Sequence, residues 1–117
     1  MHRGEIWLLN LDPSIGAEIR KTRPCIIVSD DAVGILPLRV VVPVTEWKDR
    51  YAVAPWMVRM EPDARNGLIK RSAADAFQMR SVAQERFVQR MGEVSEHYLQ
   101  QITEALATVL KIRYSVP

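Results

Sequence analysis

Apolar residues recur along this chain with two different periods. From residue 96 onward, Tyr98, Leu99, Ile102, Ala105, Leu106, Val109 and Leu110 keep the i, i+3, i+4 spacing of an amphipathic helix, with Ser95 as its N-cap and Glu96 in the first turn. Upstream the pattern is that of strands. Residues 3–11 are rich in large apolar side chains and end at Asp12-Pro13, which predicts an opening strand followed by a turn. Residues 14–22 are polar, contain Gly16 and lack periodicity, so they read as a loop. Residues 24–29, around Ile26, Ile27 and Val28, predict a short strand buried on both faces. Residues 36–45 alternate: Leu38, Val40, Val42 and Val44 share one face, while Arg39, Val41, Pro43 and Thr45 share the other. Thr45 therefore points away from the more apolar face. Pro43 has no N–H to give a ladder and predicts an edge or a bulge there. Residues 46–67 read as a long connection with a short strand near Trp56 to Met60. In residues 75–82 the alternation assigns Phe77 and Met79 to the core and turns Gln78 and Arg80 outward.

Several short strands followed by one helix predict a mainly β fold with a C-terminal α-helix, closed into a small barrel or strongly curled sheet. With 117 residues, 48% of them apolar and 26% charged, the chain fits one globular domain over residues 1–117, able to form a core without metal or disulfide staples. The single cysteine, Cys25, lies beside Ile26 and Ile27 and reads as a small buried apolar residue. Its apolar runs are broken by Arg39 and Pro43 or by Lys111, far short of the roughly 18 residues of a membrane span. The run Ile6 to Leu9 is too short for a signal-peptide core, so no export and a cytoplasmic location are expected.

The net charge of +2 is unremarkable, but its distribution is not. Residues 14–23 sum to +2 and residues 65–90 to +4, whereas every remaining segment is slightly negative. Twelve of the sixteen basic residues are arginine, whose planar fork suits phosphate contacts and base stacking. A polyanionic partner is favoured. Paired-cysteine zinc motifs, a His-Glu-x-x-His motif, a calcium loop and a phosphate-loop glycine pattern are all missing, so neither a metal nor a cofactor is expected. His97 falls on the polar side of the predicted helix and reads as a solvated residue. The chemistry collects instead at the loop-to-strand junction from Gly16 to Pro24. There Gly16 permits close backbone approach, and Arg23 is held by the rigid boundary at Pro24. The competing use of Arg23 is a surface ion pair with a neighbouring carboxylate.

The opening Arg3-Gly4-Glu5-Ile6-Trp7, then Leu11-Asp12-Pro13, Gly16-x-Glu18, Lys21-x-Arg23-Pro24, Pro43-Val44-Thr45, Gly67-Leu68, Ser72, Gln78-x-Arg80-Ser81-Val82, Arg86 and Gly92 resemble, in order and spacing, the MazF/PemK family of toxins. The resemblance spans residues 3–112. It implies a small SH3-like β-barrel with a C-terminal helix, of the CcdB/MazF/PemK kind. The implied activity is a homodimeric, metal-independent endoribonuclease that cuts single-stranded RNA at short sequences and inhibits translation and growth. A MazE-like antitoxin is the implied protein partner. The family's catalytic arginine and threonine fall on Arg23 and Thr45, its loop glutamate on Glu18, and positions of its RNA-binding surface on Ser72 and Gln78. Lys21 and Arg80 join the expected RNA-binding set, with Gly16, on grounds of charge and strand face.

In such cleavage the ribose 2′-hydroxyl attacks the adjacent phosphorus, leaving a 2′,3′-cyclic phosphate and a 5′-hydroxyl. Arg23 would stabilise the phosphorane, since a guanidinium with a pKa above about 12 is a poor base. Glu18 is a candidate base or a base-reading acceptor. Two departures bear on target choice: Ala17 stands where the family often has a serine, and residues 46–66 match only loosely. Trp47, Tyr51 and Trp56 in that stretch read as packing residues or as base-stacking ones. The alternative is a non-catalytic CcdB-like toxin that poisons DNA gyrase. The ending Arg113-Tyr114-Ser115-Val116-Pro117 weighs against it because it lacks a terminal tryptophan.

Overall fold

The computed structural model describes residues 1–113; the ending at residues 114–117, used above against the gyrase-poison alternative, lies outside them. Seven strands precede one helix: β1 (Glu5–Asn10), β2 (Thr22–Ile27), β3 (Leu38–Glu46), β4 (Met57–Met60), β5 (Ser72–Asp75), β6 (Arg80–Ala83), β7 (Phe87–Glu93) and α1 (Glu96–Leu110). The sheet runs β4-β5-β3-β2-β1-β7, with β6 also paired to β3, and every pairing is antiparallel. This is the mainly β fold with a C-terminal helix that the periodicity predicts. It is a curled sheet whose hydrogen bonding does not close on itself.

The sheet is buried on both faces, as expected for β2. Ile6, Ile26, Val42, Val44, Val58, Met60 and Ala74 meet Leu99, Ile102 and Ala105 of α1 in the larger core. On the opposite face Leu9, Leu11, Cys25, Ile27, Val41 and Val82 form a second core, joined by Trp7, Ile19 and Phe87. Neighbours Cys25, Ile26 and Ile27 thus feed alternate cores, as the period of two requires. The second core corrects the face expected to be less apolar in β3, because Val41 is fully buried there. The helix starts as predicted, with Ser95 Oγ accepting from the Tyr98 N–H at 3.1 Å. It ends in a left-handed Lys111, where the Ile112 N–H reaches back to the Ala107 carbonyl.

Two further points bear on the sequence reading. Pro43 lies in an interior strand but at a local break in its pairing, as its missing N–H predicts. Val40 points its carbonyl at the Val28 N–H and its N–H at Ser29 Oγ, both toward β2, so alternation aims the backbone of residues 41, 43 and 45 to the other side. There β6 pairing ends at Val41 and β5 pairing begins at Val44, and Pro43 occupies the gap where no ladder partner needs an N–H. Residues 75–82, against expectation, are not one strand. The Asp75 carboxylate accepts from the Phe77 N–H at 3.1 Å and caps a 3-10 turn over Ala76–Gln78, which breaks the alternation and leaves Phe77 68% exposed. Met79 keeps its expected place against the larger core.

Glycine is required where the residue 61–68 connection crosses β7. Gly67 has a φ of +71°, and a Cβ there would lie 2.5 Å from the Met91 carbonyl oxygen, while a Cβ on Gly92 would collide with the Arg65 carbonyl. The fully buried Asn66 knits the same connection, donating to the Glu61 carbonyl and accepting from the Asp63 and Leu68 N–H groups. The backbone at Gly67 and Leu68 is thereby held against Met91.

Candidate active site

Arg23 and Thr45 are brought together by strand register. The β2–β3 ladder pairs Cys25 with Pro43 and ends there, with Arg23 and Thr45 each two residues beyond that pair on the same side of the ladder's end. Both line one cavity of about 300 Å³, together with Ser72. Arg23 is exposed, Thr45 half-buried and Ser72 buried. Ser72 Oγ already donates to the Lys70 carbonyl at 2.8 Å, so this hydroxyl shapes the wall by holding the adjoining backbone. Thr45 pairs with Ala73 on its other side.

The expected ion pair of Arg23 with a carboxylate is not formed among the described residues. Its Nε donates to the Arg20 carbonyl at 3.3 Å, which leaves the guanidinium charge unneutralised. Its neighbours follow the same rule. Arg20 reaches the Gly16 carbonyl, Arg80 the Leu11 carbonyl, and Arg86 the carbonyls of Asn10 and Asp12, and among the described residues none of them, nor Lys21, meets a carboxylate within 4.0 Å. The other basic residues of the strongly positive 65–90 segment are paired: Arg65 with Glu93, Lys70 with Glu46, Arg71 with Glu61, and Arg90 with Glu5 and Glu93. Arg20, Lys21, Arg23, Arg80 and Arg86, near the loop between β1 and β2, are thus left without a carboxylate among the described residues, as are Arg39, Lys48 and Arg50 elsewhere.

That loop is built by side chains. Glu18 accepts from the Ile15 N–H at 2.6 Å across the turn that contains Gly16, whose φ is +60°. Asp12 accepts from the N–H of Lys21, which adopts a φ of +67°. Gln78 clamps the middle from across the sheet, its Oε1 accepting from the Ile19 N–H at 2.7 Å and its Nε2 donating to the Ala17 carbonyl at 3.1 Å. Both ends of the Gln78 amide are thus spent on the loop, which makes it a positioning residue. Glu18, Gln78 and Arg80 line a second cavity of about 320 Å³ with Ala17, Ile19 and Phe77. The expected site residues accordingly form two groups, Arg23, Thr45 and Ser72 in one cavity and Glu18, Gln78 and Arg80 in the other, with Gly16 and Lys21 on the connecting loop.

Sequence reading missed part of the lining. Phe77 was assigned to the core; its signal lay in Asp75, a capping residue type two positions earlier. Glu46 and Lys70 carried no signal, because they meet only through the fold. Trp47 and Tyr51 stack edge to face, with Arg59 over the Trp47 ring and Arg50 over Tyr51, while Trp56 meets Phe77 in the same manner. Among the described residues no three His, Cys, Asp or Glu side chains are grouped to hold a metal ion, and no helix is long and apolar enough to cross a membrane.

Comparison with known proteins identifies the fold and the family. The chain is 38% identical to endoribonuclease MazF9 of Mycobacterium tuberculosis over 112 residues, covering 91% of this chain and 92% of that protein. It is 32% identical to endoribonuclease PemK of Escherichia coli over 113 residues, covering 94% and 82%. Among solved structures, MazF from Deinococcus radiodurans superposes with a TM-score of 0.78 at 23% identity, covering 96% of this chain and 97% of that one. A mycobacterial endoribonuclease in complex with its cognate antitoxin does so with a TM-score of 0.77 at 22% identity, covering 98% and 99%; these two likenesses establish the shared fold. The model of the family described as the PemK-like, MazF-like toxin of type II toxin-antitoxin systems matches residues 2–110, and the chain belongs to that family.

Proposed function

We propose that this chain is a toxin that cleaves single-stranded RNA within the strand, as one toxin domain over residues 1–117, with Arg23 and Thr45 at the reacting phosphate. The observation that carries the reading is that an arginine without a carboxylate partner among the described residues and a threonine line one cavity. Two relatives above 30% identity are named endoribonucleases, which supports the same activity here.

The 2′-hydroxyl gives up its proton as its oxygen attacks the neighbouring phosphorus, the bond from phosphorus to the 5′-oxygen breaks and that oxygen takes up a proton, leaving a 2′,3′-cyclic phosphate and a 5′-hydroxyl. Negative charge on the non-bridging oxygens rises along this path. The Arg23 guanidinium supplies fixed positive charge to it, and the Thr45 hydroxyl donates a hydrogen bond that strengthens as the charge grows. Glu18 lines the other cavity and holds the loop, so it acts there on RNA as an acceptor. Lys21 and Arg80 guide the strand by charge. The toxin acts in the cytoplasm as a homodimer and is restrained by a MazE-like antitoxin; the cognate antitoxin bound to the mycobacterial structural neighbour supports that partner.

The test is incubation of purified protein with long single-stranded RNA in excess EDTA, beside Arg23→Ala and Thr45→Val, with product ends identified chemically. Site-specific cuts ending in cyclic phosphate and 5′-hydroxyl are expected. Arg23→Ala should lose about 100-fold or more in rate, the scale of a lost transition-state donor. Intact RNA after incubation with folded wild-type protein, or cleavage of an all-DNA analogue lacking the 2′-hydroxyl, would overturn the reading.

A further inference from the structure

The cavity shared by Arg23 and Thr45 has a wall for which phosphate chemistry has no use. Leu8, Pro24, Leu68 and Met91 form it, with Leu68 buried and the other three half-buried. Such side chains gain nothing from a phosphate or a ribose hydroxyl. They favour the face of a flat ring. A volume of about 300 Å³ lies at the small end of ligand sites and suits a single nucleobase. At the rim of the same cavity, Glu46 Oε2 and Lys70 Nζ face each other at 3.4 Å, with about 60% of each side chain exposed. An ion pair this exposed holds little free energy, so exchanging it for a ligand costs little.

Building on the ribonuclease reading above, we propose that this mouth receives the nucleobase adjoining the scissile phosphate. Glu46 selects a base carrying an exocyclic amino group over uracil. An ionised carboxylate only accepts hydrogen bonds. Cytosine, adenine and guanine each offer it an amino N–H, and each has an acceptor next to that amine for the Lys70 ammonium. Uracil flanks its one ring N–H with two carbonyl oxygens, whose lone pairs oppose the carboxylate. Because Glu46 lines the same cavity as Thr45, the base so selected lies beside the reacting phosphate.

The experiment sequences the cut ends that wild type, Glu46→Gln and Lys70→Ala produce from long single-stranded RNA of diverse sequence. Wild type should disfavour uracil by about tenfold or more at one position flanking the cut, the scale of one good base contact. Glu46→Gln, nearly isosteric and able to donate to a uracil carbonyl, should admit uracil at that position and leave the other positions unchanged. Lys70→Ala should keep the bias against uracil. Equal use of uracil by wild type at both flanking positions would overturn the subsite alone. So would an unchanged bias in Glu46→Gln, or uniform loss of cleavage at all sites in that variant. No cleavage by wild type in any RNA would overturn the ribonuclease reading, and the subsite with it.

Discussion

Cys25 shows how far a single residue's surroundings decide its chemistry. Its side chain is fully buried in the second core, and burial pushes the thiol up to about 12, against a smaller opposing effect of Arg80. The folded protein should therefore resist iodoacetamide at pH 8 and become alkylated only in denaturant, as followed by intact mass. Rapid labelling of native protein would contradict that burial. Glu5 is the opposite case. Burial raises its pKa, but hydrogen bonds from the Trp7 indole and the His2 N–H, with the terminal ammonium and Arg90, outweigh it and hold the carboxyl at about 2, below its ordinary 4.5. A depressed folded pKa stabilises the fold above the ordinary value, and that stabilisation is lost as pH falls toward 2. Between about pH 5 and pH 2, urea melts should show wild type losing on the order of 2 kcal/mol more than Glu5→Gln. Parallel losses in both proteins would refute the assignment. Cys25 was legible as a core residue from its neighbours in sequence, whereas Glu5 was not, because the turn that aims the Trp7 indole and the His2 N–H at its carboxylate leaves no periodic signal.

Among the elements, those that need only local information were legible. Helix α1 follows from its own periodicity and its Ser95 cap, and β2 from a run too apolar for any surface. The stretch from Asp75 to Ala83 was not, because the Asp75 cap competes with the ladder and wins. Residues 14–22 were legible as a loop, apart from Thr22, which opens β2, but the loop's conformation depends on Gln78, which is distant in sequence. Gln78→Ala should therefore loosen that loop without unfolding the sheet. Amide exchange at residues 15–21 is expected to accelerate about tenfold or more, as for a loop that has lost both side-chain anchors, while the amides of β2 and β3 keep their protection. In the RNA assay the same variant should raise KM more than it lowers kcat, because Gln78 holds residues 17 and 19 whereas Arg23 sits on β2. Gln78→Glu keeps the acceptor for the Ile19 N–H and should recover part of the protection. Unchanged exchange in Gln78→Ala would remove the clamp from the account.

Over the whole molecule, charge is sorted by folding. The segment 65–90 looked more basic than the loop in sequence, yet most of its cations find carboxylates from other elements, and those near residues 12–23 do not. RNA binding should register this difference. With the cleavage-impaired Thr45→Val as background, the slope of log affinity against log salt should become shallower by about 0.7 when Lys21 is replaced by Ala, the value for one phosphate contact on a single strand. Replacing Arg65, which is paired with Glu93, should leave the slope unchanged. Equal changes for both would mean that pairing does not govern which cations meet the RNA.

By itself the sequence determined the mainly β character with one C-terminal helix and the apolar fate of Cys25, because each rests on side-chain type and short-range period, while Arg23 and Thr45 were singled out by the resemblance of ordered motifs. The tertiary structure alone decided that these two residues line one cavity, through the packing of β2 beside β3. It also decided that the expected site residues divide between two cavities, that Gln78 serves the loop, and that Glu46 meets Lys70. The physical reason is common to all four. Each depends on contacts between residues far apart in the chain, where geometry comes from packing two cores against one sheet and leaves no periodic trace in the sequence.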